Sequence, residues 1–65
     1  MKIVYQGKDT ETAADTVAGF LNERNIPAQS IVLELNGKVC NGREIETLPL
    51  GEGDVLNVFR IVAGG

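Results

Sequence analysis

The dipeptide Asn36-Gly37 stands between two strand-forming runs, Ile31-Val32-Leu33-Glu34-Leu35 and Lys38-Val39-Cys40. A two-residue type I′ turn needs positive φ at both central positions, and Asn followed by Gly reaches those angles at the lowest cost. The segment is therefore an antiparallel hairpin, and the rest of the chain has to be built around it. A lone two-stranded ribbon is marginal in water, so other segments must add strands and cover one face.

They have the patterns to do so. Ile3-Val4-Tyr5 is a β-branched and aromatic run closed by Gly7-Lys8, which predicts a first strand at about residues 2 to 6 and a brief polar second strand from Asp9 to Thr12. From Val17 the period changes: Val17, Phe20, Leu21 and Arg24 share one helical face, predicting an amphipathic helix of about nine or ten residues. Asp15 or Thr16 can cap its start, and Pro27 is expected to fix its end, because the residue before a proline avoids helical angles. Gly19 inside it costs up to about 1 kcal/mol relative to alanine, which a close approach to a sheet would explain, as would chance. Residues 41 to 54 contain Asn41-Gly42, Pro49, Gly51 and Gly53, a loop-rich crossover with room for one helical turn near Glu44 to Thr47. Val55 to Val62 reads as a closing strand.

The order strand, strand, helix, strand, strand, loop, strand predicts an α+β fold of the β-grasp type, a mixed sheet of four to five strands packed on one helix. The expected domain is 1–61, followed by a flexible tail, 62–65.

Composition narrows what such a domain can do. With 65 residues there is room for one core, and a net charge of -3 without histidine is the wrong sign for a nucleic-acid or membrane-surface binder. The lone Cys40 excludes an internal disulfide and fits a reducing cytosol; no apolar run approaches a membrane span, and Met1-Lys2 leads straight into strand-like sequence instead of a signal segment. One cysteine and no histidine leave almost nothing from which to build a zinc site or a nucleophile-base pair. Glu44 and Glu46 lack the pocket and partners that acid-base work requires. A chain of this kind takes part in chemistry as a substrate or carrier, without bound cofactor or metal.

The feature left over is the end itself, Ala63-Gly64-Gly65. Two terminal glycines add nothing to stability, since glycine loses the most freedom on ordering. They do make a thin end that can thread a narrow channel and present a terminal carboxylate; a frayed terminus is the plainer reading.

The length, the Leu35-Asn36-Gly37 hairpin, Gly53-Asp54 before the closing strand and the ending Val62-Ala63-Gly64-Gly65 together resemble the ThiS family, ubiquitin-like sulfur carriers of thiamine biosynthesis. The resemblance covers the whole chain, and the proline-containing approach to the tail characteristic of the related MoaD carriers is missing. The chain departs from the ThiS pattern at Glu44-Ile45-Glu46, where an aromatic residue is often found.

The resemblance implies a carrier cycle. A ThiF-like adenylating enzyme would use ATP and magnesium to convert the Gly65 carboxylate to an acyl-adenylate. Sulfur from a cysteine desulfurase or rhodanese-like protein would then replace the adenylate, and a ThiG-like thiazole synthase would accept it. Gly65 is then the attachment residue, while Gly64, Ala63 and Val62 thread the tail into the partner sites. The carrier itself is not an enzyme, acts in the cytoplasm and is a monomer when free. The same tail could serve another pathway, or a ubiquitin-like modifier or binding module.

Strand alternation puts either Leu56 and Val58 inward with Phe59 and Ile61 outward beside the tail, or the reverse. The first arrangement is preferred and makes Phe59 and Ile61 a docking surface. Arg60, the one charged residue after Asp54, is a candidate to pair with an acidic partner group, as well as a solvated strand arginine. Cys40 reads as a small packing residue.

Overall fold

The computed structural model describes residues 1–60, Arg60 by its backbone alone. Strands β1 (Lys2–Tyr5) and β2 (Lys8–Glu11) form one hairpin, helix α1 (Val17–Glu23) follows, and β3 (Ile31–Leu35) and β4 (Lys38–Asn41) form a second hairpin. Strand β5 (Val55–Arg60) closes the sheet at its centre, in the order β2-β1-β5-β3-β4. β5 runs parallel to β1 and antiparallel to β3. The arrangement is the β-grasp fold expected from the element order, with all five strands in one mixed sheet.

Both hairpins turn on a residue with positive φ followed by glycine: Gln6 at 51° and Gly7 at 81°, Asn36 at 51° and Gly37 at 88°. These are the paired positive angles of type I′ turns, joining Tyr5 to Lys8 and Leu35 to Lys38. Gln6, expected at the end of the first strand, thus belongs to the turn.

α1 is seven residues long, shorter than its periodicity predicts. Thr16 caps it, its hydroxyl accepting from Gly19 N at 3.0 Å. Pro27 does not end it: Asn25 adopts φ 57°, Ile26 N donates to Leu21 O and Asn25 N to Asn22 O, the paired bonds of a Schellman motif. Pro27 instead precedes a short 3-10 turn, Ala28–Ser30. Gly19 faces no strand; a methyl there would meet Thr16 Oγ1 at 3.0 Å and Ala14 Cβ at 3.3 Å, so it makes room for the cap. Arg24, read as part of the inward stripe, is exposed, with its guanidinium 5.0 Å from the centre of the Tyr5 ring and 5.1 Å from that of Phe20.

The core lies between α1 and one sheet face. Ile3, Leu33 and Leu56 from the sheet meet Val17, Phe20 and Leu21 from the helix. Ile45 enters from a 3-10 segment, Gly42–Thr47, longer than the single turn expected, and is fully buried. Cys40 is buried within this core, its thiol 3.7 Å from Lys38 O. The other sheet face has no element over it among the described residues.

Candidate functional site

β5 carries the chain towards its C-terminus, so the placement of this strand defines the site. Alternation is resolved as preferred: Leu56 is fully buried and Val58 packs against the core, whereas Phe59 is 50% exposed on the opposite face. Phe59 stands opposite Val32, Asn57 opposite Glu34 and Val55 opposite Val4. With Val39 on β4, the open face carries these apolar side chains among polar ones: Asn57 Nδ2 donates to Glu34 Oε1 at 3.4 Å, Asn41 stands opposite Val32 and Asp9 opposite Val4. Ile61, Val62, Ala63, Gly64 and Gly65 lie outside the described residues, as does the Arg60 side chain. The Arg60 backbone is in register with Ile31.

Three polar side chains that the sequence did not mark as part of a site hold β5 in place. Asn36 Oδ1 accepts from Val55 N at 2.9 Å, and its Nδ2 donates to Asp54 Oδ1 at 3.1 Å. Asp54 Oδ2 accepts from Gly51 N at 2.7 Å, closing the turn that precedes the strand. At the other end, Gln6 Oε1 accepts from Val58 N at 2.9 Å while its Nε2 donates to Val58 O at 3.0 Å. The Asn36-Gly37 signal announced a turn but not a clamp. Gln6 left a trace in the sequence too, since glutamine is an unusual residue before the glycine of a type I′ turn.

Asp54 and Glu52 are tied into the fold: beside the Asp54 bonds, Glu52 Oε1 accepts from Lys2 N at 3.1 Å. Glu44 and Glu46 are exposed. Among the described residues no group of three metal-ligating side chains converges, and no helix is long and apolar enough to cross a membrane.

A mixed sheet curled around one helix, with its central strand leading into a terminal Gly-Gly, defines a small ubiquitin-like β-grasp protein. The ThiS family model matches residues 3–65, so the chain belongs to the ThiS family, whose members are small sulfur carriers. No curated protein sequence gives a significant match. Among solved structures the chain is similar to thiamine biosynthesis protein ThiS from Geobacter metallireducens, with 100% of each chain covered, 23% identity and a TM-score of 0.81. At that identity the likeness is one of fold.

Proposed function

We propose that this protein carries sulfur on its C-terminus, as a thiocarboxylate of Gly65, for thiazole formation in thiamine biosynthesis. The observation that carries the reading is the family match, which runs through the Gly64-Gly65 end. A carboxylate is a poor electrophile until one oxygen bears a good leaving group. A ThiF-like partner, using magnesium and ATP, joins the Gly65 carboxylate to AMP and releases pyrophosphate. The persulfide of a desulfurase or rhodanese-like protein then attacks the acyl carbon and expels AMP, and a second thiol cleaves the resulting acyl disulfide, leaving the thiocarboxylate on Gly65 and a disulfide on the sulfur donor. The resulting thiocarboxylate sulfur is a better nucleophile than an oxygen, and its transfer to a ThiG-like synthase returns Gly65 to a carboxylate. The carrier is a co-substrate, and no catalytic group of its own is required.

Five residues follow Arg60 and can carry the carboxylate at most about 18 Å from the strand end when extended. That length reaches into a partner's site while the body stays outside it, and Gly64 and Gly65 keep the end narrow. Phe59, with Arg60 and Ile61 following it in the sequence, docks the body, because an exposed aromatic side chain gains from being covered. The protein works in the cytoplasm.

The test is intact mass spectrometry with C-terminal fragmentation after incubation with an adenylating enzyme, ATP, magnesium and a sulfur source. Exchange of oxygen for sulfur localised to Gly65, and absent from a variant lacking that residue, supports the reading. Unmodified protein in a reaction that charges a known carrier overturns it.

A further inference from the structure

The pairing of β1 with β5 stops early. Val4 and Tyr5 face Val55 and Leu56, and Gln6 N donates to Leu56 O at 3.0 Å; β1 then turns away at Gly7. One further step of a parallel ladder would bond Val58 N to the backbone carbonyl of residue 6, and Val58 O to the N–H of residue 8. The side-chain amide of Gln6 supplies both groups instead, Oε1 as the carbonyl and Nε2 as the N–H, at 2.9 and 3.0 Å. One side chain thus stands in for a strand that has already left.

The position makes this choice of residue informative. At φ 51°, before a glycine, asparagine is the better turn residue, and the chain uses it at the equivalent place in its other hairpin, Asn36. Glutamine is less suited to that angle but longer by one methylene, and the extra length spans to Val58. The local turn rule is broken where a contact 52 residues away in the sequence is gained.

The contact lies where β5 has least other support. The helical layer ends short of it: a groove of about 300 Å³ opens between Tyr5, Ile26, Pro27, Ile31 and Val58. Val58 is only half-buried where Leu56 is fully buried. With thin packing above, the direction of the strand end depends on its two edges, β3 on one side and Gln6 on the other.

We propose that Gln6 is a positioning residue for the C-terminal carboxylate: its amide extends the β1 edge along β5 and sets the direction in which the chain leaves the body towards Gly65. Its consequence for chemistry rests on the sulfur-carrier reading. With the exit direction set, less of the tail's freedom has to be frozen in the partner's site, so the contribution falls on turnover more than on docking.

The test compares wild type with Gln6→Asn, which suits the turn but is too short, and Gln6→Glu, which has the length but no donor when ionised. NMR hydrogen exchange at the Val58 amide and backbone order parameters at Phe59 and Arg60 read the clamp. In Gln6→Asn, Val58 exchange rises by about fivefold, the scale of a lost hydrogen bond, order at residues 59 and 60 falls, and the unfolding midpoint does not drop. In Gln6→Glu the ionised carboxylate still accepts from Val58 N, so that amide stays protected, but its second oxygen faces Val58 O without a proton between them; order at residues 59 and 60 therefore falls at neutral pH and returns as the carboxyl protonates below about pH 4.3 and its O–H can donate to Val58 O. That pH dependence is taken relative to wild type at each pH. With an adenylating enzyme, Gln6→Asn lowers kcat about fivefold and leaves the carrier's KM within about twofold. Unchanged Val58 exchange in Gln6→Asn overturns the proposal, as does wild-type order at residues 59 and 60 in both variants at neutral pH, or undiminished kcat with the amide deprotected. Failure of wild type itself to be adenylated overturns the sulfur-carrier reading, and the exchange and order measurements still decide the clamp.

Discussion

Asn36 and Asp54 join the turn of one hairpin to the entry of the strand that leads into the tail: Asn36 Nδ2 donates to Asp54 Oδ1 at 3.1 Å while Asn36 Oδ1 accepts from Val55 N at 2.9 Å. Asn36 N also donates to Val55 O at 2.8 Å. The residue that lets β3 fold back on β4 therefore also sets where β5 begins.

Replacing Asn36 separates its two roles. Asn36→Gly keeps the positive φ and loses the side-chain bonds, costing about 1 kcal/mol; Asn36→Ala loses both and costs about 2 to 3 kcal/mol. Chemical denaturation of the two variants checks this. Equal losses would mean that the backbone angle carries no strain at this site.

Gly19→Ala should run against the usual helix rule. The added methyl meets the Thr16 hydroxyl at 3.0 Å, so the gain of up to about 1 kcal/mol from removing a helical glycine is cancelled or reversed. In a Thr16→Ala background, which itself costs about 1 kcal/mol through loss of the cap, only the 3.3 Å approach to Ala14 Cβ remains, so the same change is less unfavourable than in wild type. A double-mutant cycle by thermal or chemical unfolding reads the coupling; additive effects would show that the cap and Gly19 are independent.

Leu56 and Phe59, three residues apart on β5, should respond oppositely. Leu56→Ala removes a fully buried side chain and costs about 2 to 5 kcal/mol, a large part of the total for so small a domain. Phe59→Ser, at a half-exposed position, changes stability by about 1 kcal/mol or less and weakens association with an adenylating enzyme by about tenfold. Calorimetric titration of folded variants is the measurement. Undisturbed affinity in Phe59→Ser would remove the open face from the docking surface.

Lengthening the chain by one alanine after Gly65 should abolish adenylation and leave the fold intact, since the carboxylate then stands a residue too far along a tail held at its base. ATP–pyrophosphate exchange reads the first effect and amide chemical shifts the second. Normal exchange would count against activation at the C-terminus.

Much of this architecture is legible from neighbouring residues. Asn36-Gly37 between two apolar runs predicts its hairpin because turn angles and flanking alternation are local properties. The inward set Val17, Phe20 and Leu21 follows from helical spacing. The end of α1 is misplaced from sequence because Pro27 is the stronger breaker on paper, whereas Asn25, two residues before it, takes the left-handed angle and lets Ile26 N reach back to Leu21 O. Gly19 suggests contact with the sheet, but its neighbour is the cap of its own helix.

What the sequence determined by itself is the set of elements, their order and the identity of the end: periods of two and of about 3.6, turn dipeptides and a terminal Gly-Gly are written in covalent spacing. What only the tertiary structure decided is which residues hold the central strand. Gln6 with Val58 and Asn36 with Asp54 are separated by 52 and 18 residues, and each depends on the register between strands that are distant in the chain. Register is set when the whole inward face, from Ile3 to Leu56, packs against Phe20 and Leu21 at once; a hydrogen bond made possible by that packing has no local signature.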